Sequence, residues 1–122
     1  MILVIDIGNS FIKWKCSDEN ALCVDRGRFA HAANLNEQLS PLLVHAIEYV
    51  AVSNVANLAI EDDIQMLFPK ARFVSVKSTL ECLGVVSGYQ QPERLGVDRW
   101  LAMIEAYYLA DKKAVCVLDL GT

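Results

Sequence analysis

Apolar and polar residues alternate along the first thirty positions with the two-residue period of β-strands. Met1 to Ile5 is an apolar run that ends on Asp6. A tight turn follows at Ile7-Gly8-Asn9-Ser10. From Phe11 to Ser17, Ile12, Trp14 and Cys16 then alternate with Phe11, Lys13 and Lys15. Asp18-Glu19-Asn20 reads as a polar turn, and Ala21 to Phe29 as a third strand. The pattern therefore predicts three antiparallel strands at the start of the chain.

The period then lengthens. Leu35, Leu39, Leu42 and Leu43 have helical spacing, interrupted by Pro41. Ile47–Val52 is a short apolar run expected to be a buried strand. A helix is predicted over Ala56–Phe68, with Leu58, Ile60, Ile64, Leu67 and Phe68 on one stripe and Glu61, Asp62 and Asp63 facing water. Pro69 ends it, and Arg72–Val76 is a further strand. Ser78 to Leu95 has little periodicity, and long irregular stretches in compact domains are often functional. The strongest helix opens at Gly96-Val97-Asp98-Arg99-Trp100 and runs to about Asp111, with Trp100, Leu101, Ile104, Tyr107 and Tyr108 on one side. Ala114–Leu118 is predicted to be a strand. Three antiparallel strands followed by helix–strand alternation imply an α/β fold, a mixed sheet with helices packed on it.

Composition narrows the function. The chain has 122 residues, 54% of them hydrophobic, and a net charge of -4. It is long enough for a real core and too apolar to be disordered. No basic block is interleaved with aromatics, so no nucleic-acid partner is expected. No apolar run approaches the roughly 20 residues of a membrane span, and Met1–Val4 lacks the basic start of a signal peptide. Four cysteines, Cys16, Cys23, Cys82 and Cys116, occur without a C-x-x-C pair, and the histidines are His31 and His45. That argues against zinc, and for a cytoplasmic chain with reduced, mostly buried thiols.

Two places carry candidate chemistry. Asp6 stands at the mouth of an apolar strand, where an unpaired carboxylate is costly. The Gly8-Asn9-Ser10 turn offers backbone N–H groups and a hydroxyl without a bulky side chain. An acid able to hold Mg²⁺ beside donors for phosphate oxygens suits nucleotide phosphate, although Asp-x-Gly-Asn is also an ordinary hairpin turn. The pattern recurs: Val4-Ile5-Asp6-Ile7-Gly8 is matched by Val117-Leu118-Asp119-Leu120-Gly121, which suggests two related lobes around one ligand. Lys13 lies within reach of a phosphate or is a solvated strand lysine. At the second place, Asp98 and Arg99 open a helix. Asp98 either caps that helix or acts as a general base, and Arg99 is either an exposed partner or an anion clamp. Tyr89 offers a flat wall and one hydroxyl, or core packing.

Asp6-Ile7-Gly8-Asn9-Ser10, Tyr89, Gly96-Val97-Asp98-Arg99 and Asp119-Leu120-Gly121-Thr122 come in the order and approximate spacing of the type III pantothenate kinases. The chain resembles that family from end to end. The resemblance implies a ribonuclease H-like, actin-like ATPase lobe over 1–113, with 114–122 as the first strand and turn of a second lobe. It implies ATP-dependent phosphorylation of pantothenate to 4'-phosphopantothenate, the first step of coenzyme A synthesis. Carried over residue by residue, Asp6, Ile7, Gly8, Asn9, Ser10, Phe11, Ile12 and Lys13 resemble the first phosphate loop, with Asp6 near Mg²⁺. Tyr89, Gly96, Val97, Asp98 and Arg99 resemble the pantothenate site, with Asp98 as proton acceptor. Asp119 resembles the ligand of a monovalent cation, K⁺ or NH₄⁺, and Thr122 resembles an ATP contact. Ser10 stands where many members have Thr.

Members of the family continue for about as many residues again, so the resemblance implies that this chain is an N-terminal fragment, inactive alone, of a homodimeric enzyme. Two alternatives stay open: a non-catalytic regulatory protein of the same fold, and another small-molecule kinase, such as a sugar or acetate kinase.

Overall fold

The structure, a computed structural model, describes residues 1–119. It divides into a unit spanning Met1–Val76 and a second beginning at Lys77.

The first unit is built on a five-stranded mixed sheet in the order β3-β2-β1-β4-β5. β1 (Ile2–Ile7), β2 (Phe11–Ser17) and β3 (Cys23–Ala30) run antiparallel, as the alternation predicts. β4 (Tyr49–Asn54) lies parallel to β1, and β5 (Arg72–Ser75) parallel to β4. β1 extends through Asp6 and Ile7, two residues beyond its expected end. β3 starts at Cys23, not Ala21, because the Asp18 carboxylate accepts the N–H groups of Asn20 and Leu22 and holds them in a loop.

One face of the sheet is the core. Leu3, Ile5, Ile7, Ile12, Cys16, Phe29, Val50 and Val52 are buried together with Leu39, Leu42, Ile64 and Phe68 from the intervening helical segments. The helical pattern around Pro41 resolves into a short helix α1 (Leu35–Leu39), capped by Asn34, and a 3₁₀ turn over Ser40–Val44 with Pro41 in its first positions. α2 (Ala59–Leu67) is shorter than predicted. Leu58 is exposed at its start, and Glu61 is not water-facing: it is 9% exposed and accepts the Asn54 Nδ2–H at 2.9 Å. A buried acid with such a donor is tolerated where a lone one is not. The opposite face of the sheet carries Ile2, Val4, Lys13, Lys15 and Val74, all exposed.

In the second unit the irregular stretch closes on itself. β6 (Glu81–Cys82) and β7 (Val85–Val86) form a small hairpin whose central residues, Leu83 and Gly84, both have positive φ, as a tight two-residue hairpin turn requires. α3 (Val97–Leu109) buries Trp100 and Ile104 with Leu95, and Cys82, Val85 and Met103 pack around them. Leu101 and Tyr108, expected on the same stripe, are exposed. Ala114–Leu118 does not form the predicted strand: no described strand pairs with it, and an extended segment without a ladder has nothing to hold it. All four cysteines are free, but only Cys16 is buried; Cys23 and Cys116 are exposed, which corrects the expectation of mostly buried thiols.

Candidate active site

Parallel strands position the candidates of the first unit. Asp6 on β1 is in register with Ser53 on β4, one residue before each strand ends. Ligands of open α/β sheets gather at such carboxyl ends. Across the antiparallel pairs, Lys13 stands beside Asp6, and Arg28 beside Lys13. Ser53, Asp6, Lys13 and Arg28 thus form one row over four strands. Ser53 is 6% exposed, and its Oγ has no hydrogen-bond partner. Ser75 Oγ on β5 is a second buried hydroxyl without a partner, but only Ser53 stands abreast of Asp6.

The β1–β2 turn is closed by the Gly8 N–H donating to the Phe11 carbonyl at 3.0 Å. A Cβ on Gly8 would lie 3.2 Å from that same oxygen, so the close approach favours glycine. None of Gly8, Asn9 and Ser10 has positive φ, which sets the turn apart from the usual two-residue hairpin turns. The N–H groups of Asn9 and Ser10 have no protein acceptor among the described residues, and both residues are exposed. Successive free N–H groups make an anion-binding concavity. His31 fastens the turn from the end of β3. Its Nε2–H donates to the Gly8 carbonyl, and its backbone N–H to the Ser10 carbonyl at 3.3 Å. Ile7 and Ile12 are core residues, so they offer the site backbone groups only. Phe11 is exposed, with the Arg28 guanidinium over its ring at 5.1 Å.

The second unit holds the other candidates. Gly96 is the N-cap of α3, Val97 is buried, and Asp98 and Arg99 are exposed in the first turn. Asp98 Oδ1 accepts the Arg99 N–H at 2.8 Å, the favoured use of an acid at a helix start. A Cβ on Gly96 would fall 2.7 Å from that oxygen, so glycine leaves the carboxylate its place. Oδ2 has no protein partner among the described residues. The loop before α3 is stitched by Ser78 Oγ–H to the Leu95 carbonyl, and by the Tyr89 N–H to Ser87 Oγ. Tyr89 itself is exposed rather than core-packed. Asp119 is exposed; Thr122 lies outside the described residues.

A family model described as type III pantothenate kinase matches residues 2–122. The chain belongs to the type III pantothenate kinase family. It is similar to a type III pantothenate kinase of Pseudomonas aeruginosa (strain LESB58), at 40% identity over 126 residues, covering 100% of this chain and 50% of that protein. It is also similar to those of Chromohalobacter salexigens (34% identity, 100% of this chain, 44% of the relative) and Nitrosomonas eutropha (36% identity, 99% and 48%). The chain spans about half the length of the curated relatives it matches. Within the chain, Asp6 and the turn belong to the first unit, and Tyr89 and the Asp98 helix start to the second. Ser53, Arg28 and His31 join the first group through register and hydrogen bonds that no sequence motif announces.

Proposed function

We propose that the protein carrying this chain transfers the γ-phosphoryl group of ATP to pantothenate, giving 4'-phosphopantothenate for coenzyme A synthesis. What carries the reading, in a chain of this family, is the turn with free N–H groups at Asn9 and Ser10, next to the Asp6–Ser53 pair. Asp6, Ile7, Gly8, Asn9, Ser10, Phe11, Ile12 and Lys13 bind the phosphates, the turn through its N–H groups and Lys13 through its ammonium. Among the described residues no three potential metal-ligating side chains gather. That suits Mg²⁺, which commonly uses one or two carboxylates together with substrate phosphates and water. Asp6 is the carboxylate, with the Ser53 hydroxyl abreast of it.

Asp98 takes the proton of the pantothenate hydroxyl as its oxygen attacks the γ-phosphorus and ADP departs. Its free Oδ2 supports this role. Arg99, Val97, Gly96 and Tyr89 bind pantothenate, with Arg99 available for its carboxylate. Asp119 supplies one oxygen to K⁺ or NH₄⁺, and Thr122 contacts ATP. The family resemblance supports an actin-like lobe over 1–113, the start of a second lobe over 114–122, a homodimer and a cytoplasmic setting. No described helix is long and apolar enough to cross a membrane.

A coupled ADP-release assay on a protein of the relatives' length carrying this chain tests the proposal, with pantothenate, acetate and glucose offered in turn. Release that depends on pantothenate is expected; release indifferent to it, or driven by acetate or glucose, would contradict it.

A further inference from the structure

Two rows of like charge cross the β2–β3 hairpin. Lys13 faces Arg28 and Lys15 faces Arg26, and the alternation of the strands puts all four exposed side chains on the same side of the sheet. Like charges directly opposite each other destabilise a sheet. Among the described residues none of the four enters an ion pair. The one acid in these rows is Asp6, beside Lys13. Asp25, next to Arg26, spends Oδ1 on the Arg26 backbone N–H.

This arrangement stands in a chain whose acids outnumber its Lys and Arg, 15 to 11. Charges on an edge strand guard it against pairing with another chain. β3 is an edge strand, so that explains its arginines. It does not explain Lys13 and Lys15, which lie on the interior strand β2. A shallow depression of about 400 Å³ is lined by the same four residues with Trp14 and Gly27.

We propose that this face is a binding site for a short inorganic oligophosphate. Same-face residues along a strand are about 6.8 Å apart and neighbouring strands about 4.8 Å apart. The four cations therefore converge on a compact, highly charged anion. Two guanidinium forks suit phosphate oxygens in bidentate geometry. A nucleic-acid track would need a longer basic stripe with free aromatic faces, and here Phe11 already lies under Arg28. The proposal shares Lys13 with the phosphate-binding residues of the kinase reading and Arg28 with the row beside Asp6; Lys15 and Arg26, which the test removes, have no part in either.

The test is calorimetric titration of the chain with sodium tripolyphosphate in Mg²⁺-free buffer, at low and at moderate salt. Wild type should bind one equivalent, more weakly as salt rises. Lys15→Gln/Arg26→Gln should bind about tenfold or more weakly, as expected for the loss of two charge-assisted contacts. Its thermal melt should match or exceed that of wild type, because removing two of four like charges relieves repulsion. Equal affinity in variant and wild type would place the anion elsewhere, at the β1–β2 turn included, and overturn the proposal. So would the absence of saturable binding, or equal binding of a glutamate-rich peptide.

Discussion

His31 Nε2–H donates to the carbonyl of Gly8, 23 residues earlier in the chain. With the backbone bond from His31 to Ser10, the end of β3 holds both sides of the turn. On the proposed function this holds the Asn9 and Ser10 N–H groups ready for phosphate, and preorganised donors spend no binding energy on ordering. His31→Ala should raise the KM for Mg²⁺-ATP by about tenfold, with a smaller change in kcat. It should also speed amide exchange at Gly8, whose N–H is bonded to the Phe11 carbonyl, without nucleotide. His31→Gln, whose Nε2–H reaches similarly, should recover most of both effects. An unchanged exchange rate in His31→Ala would remove the bracing role, whatever the kinetics show.

Ser53 is the second residue to test. Its hydroxyl is buried, unpartnered and abreast of Asp6. Deleting an unsatisfied buried hydroxyl relieves a desolvation cost, so Ser53→Ala should leave the melting temperature unchanged or higher. It should nonetheless raise the Mg²⁺ concentration needed for half-maximal activity. A clear fall in melting temperature would show that the hydroxyl serves the fold instead.

Asp98→Asn separates chemistry from capping. Asparagine keeps a side-chain oxygen for the Arg99 N–H, so the helix start should survive. The amide cannot accept the substrate proton, and kcat should fall by about 10²-fold or more. Circular dichroism and kcat measured together decide this: a preserved fold with unchanged kcat rejects the general-base role.

Gly27 on β3 lies under Trp14, and a Cβ there would come within 2.8 Å of the indole ring. Gly27→Ala should therefore destabilise the chain by about 1–3 kcal/mol, the usual range for overpacking. Urea denaturation gives the value; a neutral change would mean the indole swings aside at no cost.

Burial pushes the Cys16 thiol above its ordinary value of 9.0. The unfolded chain then loses this proton before the folded one does. The stabilisation is complete below about pH 9 and is lost as pH rises towards the folded value. Denaturation midpoints should fall between pH 8 and pH 10, and fall less in Cys16→Ala. A thiol reagent at pH 8 should label Cys23 and Cys116 in the folded chain, and Cys16 only after unfolding.

Local pattern made much of this fold legible. Alternation around Ile12, Trp14 and Cys16 marks β2, and the spacing of Trp100 and Ile104 marks the buried face of α3. The Asp6 turn and the Asp98 helix start are likewise short, contiguous signals. What stayed hidden depends on residues far apart in sequence. Ser53 reads as the end of an apolar run until the parallel register sets it beside Asp6. His31 looks like a connector residue until the hairpin brings Gly8 to it. Glu61 sits among acids that face water, and only the Asn54 side chain explains its burial. Ala114–Leu118 has strand composition, but composition supplies no pairing partner.

The β1–β2 turn as a phosphate loop is tested most directly by amide chemical shifts. In ¹⁵N-labelled protein of the relatives' length carrying this chain, Mg²⁺-ATP should shift the Asn9 and Ser10 amides saturably, and Asp6→Ala should weaken that response by about tenfold or more. Amides at Asn9 and Ser10 that stay in place while ATP binds elsewhere would contradict it.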